Sequence, residues 1–145
     1  MYLALLALDA AAVVLTPDGP RRAPLARWNA SGTGAPLLAV RFEPAPMAFE
    51  RIDTEPRGPR PLCAVALTRL PGGDGLRCAV GYAVPRPRVL TLEGDPYGAL
   101  LAHVPADRHE ITERCLRQAL DQLRGTEESW TSCTGSGLNG PGSPP

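Results

Sequence analysis

Two apolar runs flank a glycine turn between residues 61 and 89, and their alternation is the strongest pattern in the chain. Pro61-Leu-Cys-Ala-Val-Ala-Leu67 and Leu76-Arg-Cys-Ala-Val-Gly-Tyr-Ala-Val84, separated by Pro71-Gly-Gly-Asp-Gly75, predict a β-hairpin. If Gly73-Asp74 is the two-residue loop, Gly72 pairs with Gly75 and the rest of the register follows. Cys63, Val65 and Leu67 then face Val84, Tyr82 and Val80, while Ala64 and Ala66 face Ala83 and Gly81. One face is bulky and can close a core. The other is small and lets a second backbone come close.

Along the rest of the chain the pattern predicts shorter elements. Tyr2, Leu5, Leu6 and Leu8 fit the end of a helix that runs into a strand over 11–16, turning at Pro17-Asp-Gly19. Further strands are expected over 23–28 and 37–42, the latter stopped by Pro44 and Pro46. A short alternation covers 48–52, and a strand after Pro87 covers 89–92. Gly94 to Gly98 has turn chemistry, and Asp107 with Glu110 has capping-box spacing. Leu116, Ala119, Leu120 and Leu123 then recur at helical spacing over 108–124, with Gly125 placed as a stop. The final stretch, 131–145, is rich in Gly, Ser and Pro and is expected to be disordered. The fold class predicted is α+β: a small antiparallel sheet built on the hairpin, with a packed C-terminal helix.

Composition narrows the function more than the fold. The apolar share of 43% can fill a modest core, and with only 5% aromatic residues that core is mostly Leu, Val and Ala. All 15 basic residues are Arg, which together with 17 Pro and 15 Gly points to coding bias and not to a role. Formal charge is zero and no basic stripe forms, so nucleic acid is not expected as a partner. The apolar start is interrupted by Asp9 and is too short to span a membrane, so no membrane association is expected either.

Candidate chemistry is sparse. Cys63, Cys78, Cys115 and Cys133 have no metal-ligand spacing and are expected to be reduced thiols in a cytoplasmic protein, with no metal site. In the predicted register Cys63 and Cys78 lie six residues apart along the ladder, about 20 Å and beyond disulfide reach. His103 and His109 suit the surface or a helix start better than catalysis. Arg86 and Arg88, near Pro85 and Pro87, offer charge for an anion or an acidic partner, although exposed arginines at a strand end are the plainer expectation. No P-loop, dinucleotide fingerprint or nucleophile elbow occurs, so no catalytic residue is assigned.

A resemblance reaches further. Leu5-Leu-Ala-Leu-Asp-Ala10, Val13-Val-Leu15, Asp18-Gly19, Arg22-Ala-Pro-Leu25, Pro36-Leu-Leu-Ala-Val-Arg-Phe-Glu-Pro44, Ala48-Phe-Glu-Arg51, Ala64-Val-Ala-Leu67 and Ala79-Val-Gly-Tyr-Ala-Val-Pro-Arg-Pro-Arg88 follow one another in order. This succession resembles the FAD-binding subunit of molybdenum hydroxylases, the carbon monoxide dehydrogenase, xanthine dehydrogenase and aldehyde oxidase group.

The resemblance implies that residues 1–46 correspond to the last part of a FAD-binding domain and 47–125 to the flavoprotein C-terminal domain, followed by a disordered tail over 126–145. It also implies electron relay from iron-sulfur clusters through FAD to an external acceptor, with an iron-sulfur subunit and a molybdopterin-binding subunit as partners. Leu37 falls where the family packs a leucine on the flavin ring, although Ala35-Pro36 replaces the usual acidic lead-in. Arg51 falls where a lysine often follows an aromatic near the ring, and arginine keeps that charge with a different shape. The plainer alternatives are a buried strand residue for Leu37 and a solvated cation for Arg51. The family's glycine-rich segments, which hold the FAD pyrophosphate, lie upstream of the residues matched, so the chain alone is expected to purify without FAD. The competing expectation is a non-catalytic fragment that keeps the C-terminal fold as an interaction module without flavin.

Overall fold

In the computed structural model, residues 1–31, 35–53, 61–73 and 75–135 are described, with the backbone alone for 29–31 and 130–135. The chain opens with α1 (Tyr2–Ala7), followed by β1 (Ala11–Thr16), β2 (Gly19–Pro24), α2 (Leu25–Ser31) and β3 (Leu37–Arg41). Next come β4 (Met47–Asp53), β5 (Pro61–Arg69), β6 (Leu76–Gly81) and β7 (Arg88–Leu92). Helix α3 (Pro96–Leu101), a 3-10 turn (Ala106–Arg108) and the long helix α4 (His109–Gly135) finish the fold. The strands form two antiparallel sheets, β2-β1-β3 and β4-β5-β6-β7, so the fold is α+β as expected.

The hairpin forms, but in a different register. Leu67 pairs with Cys78, Val65 with Val80, and Ala64 with Gly81, and the ladder closes at Arg69 and Leu76. The loop is therefore longer than Gly73-Asp74, and it is closed by the Leu70 N–H donating to the Gly75 carbonyl at 3.0 Å. Every cross-strand partner moves by two residues relative to expectation, which leaves each side chain on its predicted face because strand faces alternate with period two. Tyr82 and Ala83 are the exceptions, and Ala83 joins the core under the bulky face. The chain leaves β6 after Gly81, and Tyr82 takes a left-handed φ of 67° instead of continuing the bulky face.

Each face of the hairpin meets a different helix, and this explains why Cys63 to Thr68 are buried without alternation. The bulky face, with Cys63, Val65, Leu67, Cys78 and Val80, packs on Leu116, Ala119 and Leu123 of α4 and on Leu100 and Val104. The small face, with Ala64, Ala66 and Ala79, receives Leu3, Leu6 and Ala7 of α1 and Ala12 and Val14 of β1. The approach is close. A methyl group at Gly81 would stand 3.1 Å from a Leu3 Cδ atom.

Several local expectations are revised. The predicted strand over 23–28 ends at Pro24, and Leu25 starts a helix whose first N–H donates to the Ala10 carbonyl at 2.8 Å. Helical spacing turns both Leu25 and Trp28 toward the second core, which a strand could not do. The Gly94–Gly98 stretch is a turn only at Gly94, because Asp95 caps α3 by accepting from the N–H groups of Tyr97 (3.0 Å) and Gly98 (3.1 Å). Asp107 and Glu110 form no capping box. Asp107 sits in the 3-10 turn beside Arg108 at 3.6 Å, and the start of α4 is tied instead by the His109 ring to the Val104 carbonyl at 2.9 Å.

Gly125 does not stop α4. An interior glycine costs a helix only about 1 kcal/mol, and the next turn is held by Thr126 Oγ1 donating to the Gln122 carbonyl at 2.9 Å and by Glu127 paired with Arg69. Residues 126–135 are consequently helical and not a disordered tail, whereas the expectation for 136–145 lies outside the described residues. Among the described residues no helix is long and apolar enough to cross a membrane.

Candidate functional site

Strand β4 places Phe49 and Arg51 on one face, because they alternate, and the ladder sets them against Ala66 and Ala64 of the small face. Arg51, Ala64 and Gly81 thus form one row across β4, β5 and β6. Leu3 covers the Gly81 end of that row, while Tyr2 and the segment from Tyr82 to Pro87 close around its flank. The result is a cleft of about 530 Å³ walled by Tyr2, Phe49, Arg51, Tyr82, Pro85 and Pro87.

Its character is aromatic with one cation. The Arg51 Nε donates to the Asp53 carboxylate at 2.7 Å, an interaction that holds the guanidinium above its ordinary pKa, with Tyr82 a lesser electrostatic neighbour. Tyr82 is 60% exposed in a left-handed backbone conformation that is costly for a bulky residue. Such a side chain stands at the mouth of the cleft instead of filling it.

Leu37 is elsewhere. It lies on β3, in the three-stranded sheet, where it pairs with Val14 at a bulge, and it is 42% exposed. It does not line the cleft that holds Arg51. The two positions assigned to flavin by resemblance are thus not brought into one pocket. Phe49 and Tyr82 were not singled out in the sequence. The alternation Phe49-Glu50-Arg51 carried the signal for Phe49, whereas the left-handed turn at Tyr82 has no sequence signal in a residue that usually avoids it.

The thiols are structural by position. Cys63, Cys78 and Cys115 are free and buried, and Cys63 and Cys115 are neighbours between β5 and α4. Burial pushes the Cys78 thiol up to about 12. Cys115 is raised by its hydrogen bond with Cys63 and by burial, while Cys63 is lowered by the same bond against the opposing effect of burial. Among the described residues no group of three or more His, Cys, Asp or Glu side chains is placed to hold a metal ion.

No protein-family model matches the sequence, and no curated protein matches it.

Proposed function

We propose that the chain is part of the FAD-binding subunit of a molybdenum hydroxylase-type oxidoreductase, acting in the cytoplasm with an iron-sulfur subunit and a molybdopterin-binding subunit. The observation that carries this proposal is the placing of Arg51 beside Phe49 and Tyr82 in an open, aromatic-walled cleft. Such walls suit a planar ring system, and the volume of about 530 Å³ lies in the usual range for a cofactor-sized site. When bound, FAD would supply one- and two-electron chemistry between the clusters and the external acceptor.

The chain's own contribution is electrostatic and steric. Arg51, fixed by Asp53, would hold a permanent positive charge beside the ring and so favour its reduced, anionic form. Phe49 and Tyr82 would orient the ring and exclude water from its faces. Ring contacts alone return a few kcal/mol at about 25 cal/mol per Å², against at least ~4 kcal/mol of association entropy, so the phosphates need donors from the family's glycine-rich half.

The test is to express the chain with and without a separate glycine-rich polypeptide of a molybdenum hydroxylase flavin subunit. FAD should be retained only in the pair, and Arg51→Ala should move the flavin midpoint potential to a more negative value. A potential unchanged by that substitution refutes the role of Arg51. Stoichiometric FAD on the chain alone refutes the division of labour. The separation of Leu37 from the Arg51 cleft favours the second reading, an interaction module without flavin, and assembly of the pair without any FAD would establish it.

A further inference from the structure

A second cleft, of about 490 Å³, opens where the two sheets meet at the C-terminal end of α1, and four arginines line it. Arg22 comes from β2, Arg41 from the end of β3, Arg69 from the end of β5 and Arg77 from the start of β6. The registers explain the convergence. Arg22 pairs with Val13, which pairs with Ala39, two residues before Arg41, so both arginines belong to one face of the small sheet. Arg77 pairs with Thr68, the residues that continue the small face of the hairpin beyond its alanines.

The four cations differ in how they are held. Arg77 is paired with Asp9 at 3.2 Å, and Arg69 forks onto both carboxylate oxygens of Glu127. Arg22 and Arg41, both exposed, have no ion pair or hydrogen bond to a side chain among the described residues. Two carboxylates, Asp9 and Glu43, also face the cleft, so with Arg77 balanced by Asp9 and Arg69 by Glu127 the uncommitted charges are those of Arg22 and Arg41 against Glu43. Asp9 is placed by the end of α1: it takes the left-handed φ of 53° that closes the helix, with its N–H donating to the Leu6 carbonyl at 3.1 Å and the Ala10 N–H to the Leu5 carbonyl at 3.0 Å.

We propose that this cleft binds a small multivalent oxyanion, through Arg22 and Arg41 as the ligand-facing forks and Arg77 as a charge fixed by Asp9. Guanidinium groups bind phosphate and carboxylate oxygens in pairs, and their charge persists at any pH at which the protein is folded. The two guanidinium groups without an ion pair among the described residues, Arg22 and Arg41, match a ligand that carries more than one negative charge, and the volume admits a metabolite-sized one. The site is separate from the Arg51 cleft and does not depend on flavin.

Calorimetric titration of the 145-residue chain with inorganic pyrophosphate at low ionic strength tests this, with citrate as a competitor. One saturable site is expected, weakened about tenfold or more in Arg22→Gln/Arg41→Gln, unchanged in Arg86→Gln, and tightened in Glu43→Gln, where a repelling carboxylate is lost. Displacement by citrate at equal concentration would assign the site to oxyanions at large, and resistance to it to phosphates. Absence of saturable heat, wild-type affinity in the double arginine variant, or weaker binding in Glu43→Gln would each overturn the proposal. All four substituted positions are exposed, so circular dichroism and melting of the variants should match the parent, and the gain expected in Glu43→Gln cannot arise from a damaged fold.

Discussion

Leu116 and Leu120 are one turn apart on α4, yet only Leu116 is fully enclosed, while Leu120 packs at the margin of the core. Leu116→Ala should cost roughly 2–5 kcal/mol and Leu120→Ala about 1–2 kcal/mol, because only the first leaves a closed cavity. Chemical denaturation of the two variants would show equal losses if the helix face were rotated from the one described. The thiols give a pH signature. Cys78 ionises near its ordinary value in the unfolded chain but at about 12 in the fold, so its contribution is intact below about pH 8.5 and declines as pH rises toward 12. Stability should fall by up to about 1.4 kcal/mol per pH unit over that window from this thiol, and the fall should be shallower in Cys78→Ala when both proteins are melted across an alkaline series. At this scale the sequence was legible wherever a side chain obeys alternation, as Phe49 and Arg51 do on β4, and illegible where the backbone reverses hand, as at Tyr82.

The hairpin and α4 show what periodicity settles for an element and what it leaves open. The bulky and small faces of β5 and β6 were readable although the loop length was not, because a displacement of two residues conserves every facing. Loop residues such as Gly72, with φ at 75°, announce a turn without fixing how many residues it uses. Similarly, the apolar positions of α4 located its buried stripe, but Gly125 was a weak guide to its end, since glycine is also tolerated inside a helix whose flanks are held. A Cβ at Gly125 would meet nothing within 4 Å, so Gly125→Ala should stabilise the protein by about 0.5–1 kcal/mol. A denaturation midpoint moving the other way would mean that the helix breaks there. The 23–28 segment failed for a related reason: Pro24 suits the end of an edge strand and the entry to a helix equally well.

For the molecule as a whole, the chain passes from one sheet to the other between Arg41 and Met47, and packing crosses that passage. Helix α1 lies in the first segment and rests on β5 and β6 of the second, so the two segments share a wall. The clefts inherit their position from this arrangement, one at each end of α1. A wall with a helix pressed on either face is also the part of the molecule that solvent reaches last. Deuterium should therefore replace the amide hydrogens of β5 and β6 only through complete unfolding, whereas the edge strands β2, β3, β4 and β7 and the far turns of α4 exchange through local openings. Mass spectrometry of peptic fragments would read that order directly, and early labelling of the 61–69 peptide would mean that α1 lifts from the sheet while the rest of the chain remains folded.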